Sequence, residues 1–147
     1  MKIGVLAVQE AFAEHIAMLR RLDVDAVPVR LPEELVGLDG LIIPGGESTS
    51  ISRLMVDYNL MGKVRNLAKN GLPICGTCAG MILLAKNVSD LSVEPLGVMD
   101  VVVRRNAFGR QTDSFETELS MPVLGEKLFP GVFIRAPVVE QTNSQVS

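Results

Sequence analysis

Both cysteines of the chain lie close together, in the stretch LPICGTCAGMILLAKN at positions 72–87. The second of them is flanked by glycines two positions away on each side, in the order Gly76-Thr-Cys78-Ala-Gly80. A G-x-C-x-G pattern between a predicted strand and a predicted helix is typical of a nucleophile elbow, a strained turn that presents a reactive side chain. The pattern therefore predicts that Cys78 is a catalytic nucleophile.

The glycines and the predicted helix start have separate roles in such a turn. Glycine lacks the Cβ atom that would clash where strand and helix pack closely. A helix beginning at Ala79 favours the thiolate form of a neighbouring cysteine and directs backbone N–H groups toward a developing oxyanion. We therefore expect Ala79 to contribute to an oxyanion hole beside Cys78.

Two other interpretations of the cysteines stay open, because G-x-C-x-G alone is only moderately specific. A redox pair would need both thiols accessible at one helix start. Cys75, however, lies inside the predicted buried strand LPICG, where we expect it to pack in the core as a small hydrophobic residue. In the third interpretation both cysteines are purely structural.

A second glycine loop ends another predicted strand, in LIIPGGESTS at positions 41–50. Adjacent glycines let backbone N–H groups approach a ligand, and strand carboxyl ends converge on the ligand crevice of an open α/β sheet. We expect the Gly46 N–H to stabilise the oxyanion formed when Cys78 attacks. The alternative is a simple turn before a helix capped by Ser48 or Thr49.

The elements that must position these loops alternate in type as far as residue 87. Strands are predicted at 2–8, 25–30, 40–43 and 72–76, and helices at 10–23, 48–60, 61–71 and 79–87. This alternation predicts an α/β fold, a three-layer open sandwich with a mostly parallel central sheet. Beyond residue 90, three strand-like segments predict a β-rich C-terminal part of the same single domain, which spans 1–147.

Composition excludes several classes of function. The 147 residues, 48% of them hydrophobic, suit one globular domain, and a net charge of −3 without a basic block argues against a nucleic-acid surface. No apolar run has the length of a membrane span or the form of a signal peptide, so we expect a cytoplasmic protein. A single histidine, His15, argues against a histidine-rich metal site, and no cofactor is expected.

The two loops together carry a resemblance to a known family. GTCAGMILLAK and GLDGLIIPGGEST resemble the class I glutamine amidotransferases. Within that family, RRNAFGRQTDSFE, VFIRAP and the opening IGVLAVQ are similar to one branch, the glutaminase subunits of pyridoxal 5′-phosphate synthase. The resemblance runs from residue 3 to about residue 140, nearly the whole chain.

The resemblance implies a reaction and a set of site residues. Cys78 would attack the side-chain amide of L-glutamine, release ammonia to a separate synthase subunit, and form a glutamyl thioester that water hydrolyses. The family positions that contact glutamine correspond here to Gly46, Glu47, Ser48, Arg105, Ile134 and Arg135. An arginine pairs well with the substrate α-carboxylate, although without the resemblance both arginines would be interpreted as ordinary surface residues.

Two departures from the family pattern bear on activity. Gln9 is followed by Glu10, where the family usually has glycine, and no histidine follows Cys78, where the family has a His-Pro-Glu segment that completes its triad. We expect His15 to be a partly buried helix or interface residue rather than the missing base. The sequence is therefore expected to represent a glutaminase domain incompletely.

Two alternative functions follow from these observations. One is a non-catalytic docking or regulatory module of the same complex, which the absence of a histidine after Cys78 favours. The other is a class I glutamine amidotransferase that delivers ammonia to a different acceptor.

Overall fold

The βα alternation predicted for the first part of the chain is present in the computed structural model. The structure describes residues 1–9, 11–89, 92–105, 115–133, 137–144 and 146. Its first elements are β1 (Lys2–Leu6), α1 (Phe12–Arg21), β2 (Asp25–Val29), a 3-10 turn (Pro32–Leu35), β3 (Gly40–Ile43), α2 (Ser48–Asp57), α3 (Leu60–Lys69), β4 (Ile74–Gly76) and α4 (Ala79–Leu84).

Four of these strands form a parallel sheet in the order β2-β1-β3-β4. Gly4 lies in register with Val27 on one side and Leu41 on the other, and Ile42 lies beside Cys75. Because all four strands run the same way, their carboxyl ends meet at one edge of the sheet. The loops after β1, β3 and β4 therefore leave the sheet side by side.

Alternate residues of the strands supply two separate cores. On one face, Val5 and Ala26 pack against Ile16 of α1. On the other face, the sheet packs against α2, α3 and α4 through four strand residues, Leu6, Val29, Leu41 and Ile43. Helices thus cover both faces, as a parallel sheet requires, and the predicted three-layer sandwich is confirmed.

The later part of the chain is rich in strands, as predicted. It contains β5 (Ala85–Val88), β6 (Met99–Arg104), β7 (Phe115–Leu119), a second 3-10 turn (Pro122–Leu124), β8 (Phe129–Phe133) and β9 (Val138–Thr142). Strands β5, β6 and β9 form one sheet, in which β5 is parallel and β9 antiparallel to β6. Val101 and Val103 of β6 are buried in the same core as α4, so this sheet packs on the α/β part.

The prediction that Cys75 packs in the core is wrong. Its side chain is exposed, because β4 pairs only with β3 in the described sheet and therefore lies at an edge. Cys75 is in register with Ile42, whose side chain packs on the α1 side. Helix α1 packs mainly on β1 and β2, so it covers the centre of this face more fully than its edge at β4.

The helix predicted at 79–87 is also too long. Helix α4 ends at Leu84, and Ala85 takes an extended conformation that begins β5. The carbonyl groups of Leu83 and Leu84 accept hydrogen bonds from the N–H groups of Leu96 and Val98, at 2.6 and 3.1 Å. These bonds to a distant segment replace the next helical turn, which explains why the local helical pattern failed here.

Within the described residues, no helix combines the length and the apolar character that crossing a membrane would require.

Candidate active site

Cys78 occupies the strained turn that the sequence predicts. It lies between β4 and α4 with φ 51° and ψ −105°, a conformation that costs a residue other than glycine about 1–3 kcal/mol. Two backbone hydrogen bonds hold the turn: the Thr77 N–H donates to the Ile43 carbonyl at 3.0 Å, and the Gly80 N–H donates to the Thr77 carbonyl at 2.9 Å. The thiol is exposed beyond the sheet edge.

The two glycines around Cys78 are required by close packing. A Cβ atom on Gly80 would collide with the carbonyl group of Ile43, and one on Gly76 would lie 2.5 Å from the backbone of Gly80. Strand β3, strand β4 and helix α4 thus approach more closely than any side chain permits. The glycines set the angle at which α4 leaves the turn.

Replacing one of these glycines should therefore destabilise the protein strongly. We expect Gly80→Ala to lower the free energy of unfolding by about 3 kcal/mol, because the obstacle is backbone that cannot move aside. Gly62→Ala in α3 is the matched control: its Cβ would meet nothing within 4 Å, so stability should rise by about 0.5–1 kcal/mol. Urea unfolding of both variants measures the difference, and equal stabilities would contradict this account of the turn.

The glycine loop after β3 lies against the Cys78 turn, as predicted. A Cβ atom on Gly45 would be 3.5 Å from the Cβ of Cys78. Gly46 has φ 144°, and a Cβ atom there would collide with Oε1 of Gln9. The same Gln9 oxygen accepts the N–H of Glu47 at 2.9 Å, so the loop after β1 holds the loop after β3 in place.

Helix α2 is capped by Glu47 and not, as the alternative interpretation of this loop had it, by Ser48 or Thr49. The Glu47 carboxylate accepts the N–H of Thr49 at 3.0 Å and the N–H of Ser50 at 2.7 Å. Partial burial would by itself raise the pKa of Glu47, but these two bonds and those from both hydroxyl groups lower it to about 2. Glu47 is therefore an anion throughout the neutral range.

Arg105, which follows β6, lies directly against this anion. Its Nη2 is 3.0 Å from Oε1 of Glu47, and its Nη1 donates to the hydroxyl of Thr49 at 3.1 Å. The arginine side chain is only 18% exposed, so the guanidinium is held in one direction rather than extended into solvent. The carboxylate and the guanidinium form one charged wall.

These residues surround a cavity of about 200 Å³. Its wall consists of Gly46, Glu47, Ser48, Cys78, Ala79, Ile82, Arg105 and Pro137. The structure thus brings together every predicted site residue that it describes. A cavity of this size suits a small metabolite and is well below the range of drug-sized pockets.

Ser48 contributes a buried hydroxyl to the neighbourhood of the cavity. Ser48 is 3% exposed, and its hydroxyl has no hydrogen-bond partner within the described part of the chain. A buried hydroxyl left unpaired costs about 1–3 kcal/mol. Because this oxygen is also shielded from the cavity, its burial does not bear on substrate contact, and the prediction that Ser48 contacts glutamine stays a prediction.

Some sequence predictions for the site concern residues that the structure does not describe. Ile134 and Arg135 lie outside the described ranges, and so does Glu10. His15 is described: it is partly buried on α1, as expected, and its Nε2 lies 3.4 Å from Oγ1 of Thr77 rather than in the cavity wall. That His15 is not the catalytic base remains a prediction.

Sequence reasoning missed three residues of the site. Ile82 lies one helical turn after Cys78, so helical periodicity alone could have placed it in the wall. Gln9 follows β1, the neighbour of β3, and an amide side chain at a strand end of a parallel sheet is a signal of the same kind. Pro137 had no usable signal, because its position depends on the pairing of β9 with the distant β6.

Comparison with known proteins finds a consistent set of relatives. A family model described as the SNO glutamine amidotransferase family matches residues 5–147. The chain is 57% identical over 141 residues to the pyridoxal 5′-phosphate synthase subunit PdxT of Moorella thermoacetica, covering 96% of this chain and 75% of that protein. It is 60% identical over 148 residues to the PdxT subunit of Dehalococcoides mccartyi strain 195, covering 99% and 76%.

Solved structures agree with the sequence relatives. A crystal structure of a glutamine amidotransferase matches with a TM-score of 0.86 and 46% identity, over 97% of this chain and 75% of that chain. A putative GMP synthase protein from Thermoplasma acidophilum matches with a TM-score of 0.56 and 20% identity, over 98% and 69%. The second likeness concerns the fold alone.

Proposed function

The chain belongs to the SNO glutamine amidotransferase family, and from this premise we propose that it hydrolyses L-glutamine at Cys78 and supplies the ammonia to a pyridoxal 5′-phosphate synthase subunit. The observation that carries the proposal is the position of Cys78, held at positive φ on the wall of a small cavity that also contains Glu47 and Arg105. The relatives, named as subunits of that synthase, support this acceptor over a different one.

The proposed reaction has two stages. The Cys78 thiolate attacks the side-chain carbonyl carbon of glutamine, the C–N bond breaks, and ammonia leaves with a proton from a general acid. The thioester that remains is attacked by water, which releases glutamate and restores the thiol. The N–H groups at Gly46 and Ala79 are proposed to stabilise the oxyanion of each tetrahedral intermediate.

The charged wall is proposed to hold the amino-acid end of the substrate. Arg105 presents a guanidinium that suits the α-carboxylate, and Glu47, an anion with a pKa of about 2, suits the α-ammonium group. Ser48 lines the same cavity and is proposed as a glutamine contact from the family resemblance. Ile134 and Arg135 are proposed as further glutamine contacts on the strength of the family resemblance.

The proposal also covers the domain organisation, cellular location and partners of the protein. We infer a single glutamine amidotransferase domain that works in the cytoplasm, without contact to nucleic acid, as one subunit of a heteromeric complex. The shared core of α4 and β6 supports the single domain. The net charge of −3 supports the absence of a nucleic-acid partner.

The test is the reactivity of two exposed cysteines in one chain. A glutamine-analogue diazo-ketone should label Cys78 and leave Cys75 unlabelled, and free glutamine should protect Cys78. Exposure cannot produce this selectivity, because both thiols are exposed. Peptide mass spectrometry reads both sites at once, with iodoacetamide as the control reagent that should reach both.

Four results would count against the proposal. Equal labelling of the two cysteines by the analogue, or no protection by glutamine, would remove the special role of Cys78. A Cys75–Cys78 disulfide with the potential of a redox buffer would favour the oxidoreductase interpretation instead. Selective binding of the synthase subunit without any labelling of Cys78 would favour the non-catalytic docking module.

A further inference from the structure

The single histidine of the chain contacts the nucleophile turn from another layer of the fold. His15 lies on α1, and its Nε2 is 3.4 Å from Oγ1 of Thr77, the residue before Cys78. The two residues are 62 positions apart. Neither side chain lines the cavity, so glutamine binding does not account for the contact.

Thr77 is held from three directions. Its N–H donates to β3 through the Ile43 carbonyl, and its own carbonyl accepts the N–H of Gly80 in α4. These two bonds fix its backbone, while the contact with His15 fixes its side chain. Because the next residue is strained, with φ 51°, its orientation depends on the contacts that hold the turn.

The segment that carries His15 also contacts the other loop of the site. Gln9, in the loop that leads to α1, accepts the N–H of Glu47 beside Gly46. The first loop and helix of the chain therefore contact both the proposed oxyanion loop and the nucleophile turn. A shift of α1 would disturb the two together.

We propose that His15 is a positioning residue, which through the hydroxyl of Thr77 orients the turn so that the Cys78 thiol faces the cavity. The inference rests on the proposed glutaminase function. It assigns His15 no proton transfer with the substrate, because the hydrogen-bond partner that the structure describes for its Nε2 is Thr77 and not Cys78.

The experiment separates the orientation of the thiol from substrate binding. Inactivation by the glutamine-analogue diazo-ketone is followed over a range of concentrations, which gives a maximal rate and a half-saturating concentration. We expect His15→Ala and Thr77→Val each to lower the maximal rate about tenfold and to leave half-saturation within about twofold. The double variant should lose no more than either single one, because the two side chains act as a pair.

Conservative variants and an unrelated site on the same helix serve as controls. Thr77→Ser and His15→Gln keep a group able to hydrogen-bond, and should recover most of the lost rate. Met18→Ala, at an exposed position of α1, should behave like the parent protein. The rate of Cys78 modification by iodoacetamide should change less than about twofold in all variants, because that reagent needs no orientation toward the cavity.

The outcomes distinguish failure of this inference from failure of the proposed function on which it rests. An unchanged maximal rate in His15→Ala, or a loss that neither conservative variant recovers, would overturn the positioning role alone. An equal fall in the iodoacetamide rate would also overturn it, since the thiol itself would then have changed. If the analogue fails to label Cys78 in the parent protein while iodoacetamide does, the proposed function and the inference fail together.

Discussion

Cys78→Gly will abolish glutamine hydrolysis and at the same time stabilise the protein. In a polypeptide extended by a family-like His-Pro-Glu segment, which restores a general base, loss of the nucleophile should lower turnover at least ~10⁴-fold. Glycine adopts positive φ without the Cβ penalty, so relief of the strain at φ 51° should raise the free energy of unfolding by about 1 kcal/mol, after the greater freedom of glycine in the unfolded chain is deducted. Urea unfolding and ammonia release measure the two effects on one sample.

Cys78→Ala is the matched control for this result. It removes the same sulfur and loses the same activity, but it keeps a Cβ atom and should therefore gain no stability. A gain in Cys78→Ala equal to that in Cys78→Gly would show that the sulfur, rather than the backbone, is the source of the strain. Stability unchanged in both variants would contradict the strained turn.

The second large effect concerns the general acid and base of the reaction. A polypeptide of these 147 residues contains no histidine after Cys78, and its single histidine contacts Thr77. We expect it to release ammonia from glutamine at least ~10³-fold more slowly than the same polypeptide extended by a family-like His-Pro-Glu segment. General acid–base catalysis raises reaction rates about 10²–10⁴-fold. Losing one member of a nucleophile–base unit can lower the rate nearly as much as losing the whole unit.

The comparison is made with the synthase subunit present and absent, since a partner can supply a group. An extended polypeptide in which the added histidine is replaced by glutamine is the control for length and packing. Near-normal release by the 147-residue polypeptide alone would contradict the prediction and make His15 the base. Near-normal release only with the synthase subunit would place the base on the partner.

The strained turn at Cys78 was predictable because its signals are local. The glycines around Cys78 and after β3 indicate places where backbone segments approach closely, and they can be recognised within a few residues of sequence. The alternation of strands and helices then predicts which loops lie next to each other. The alternative interpretation of the second loop placed the cap of α2 one or two residues too late, at Ser48 or Thr49, and the reason is also local. Short polar residues are the common helix caps because their side chains accept the first N–H groups of a helix. Here the longer Glu47 side chain accepts the N–H groups of Thr49 and Ser50 instead.

What failed or was missed depends on contacts between distant segments. The exposure of Cys75 is set by which strands flank β4, and the end of α4 by bonds from residues 96 and 98. The link from Gln9 to Glu47 spans 38 positions and leaves no periodic pattern. Arg105 came from the family resemblance alone, because a single arginine after a strand carries no signal of its position.

The residues of the cavity wall come from different parts of the chain, so they are synthesised at different times. The turn at Cys78 is built from strands and helices within the first 84 residues, whereas Arg105, which contacts Thr49, comes later in the chain. The contact of Thr77 with His15 spans 62 positions, but both residues, like the whole turn, precede Arg105 in the chain. A chain that emerges from the ribosome N-terminus first therefore exposes an oriented thiol before the arginine that would select its substrate arrives. During that interval Cys78 is open to any electrophile, so the newly made protein is expected to be more vulnerable to oxidation and alkylation than the folded one.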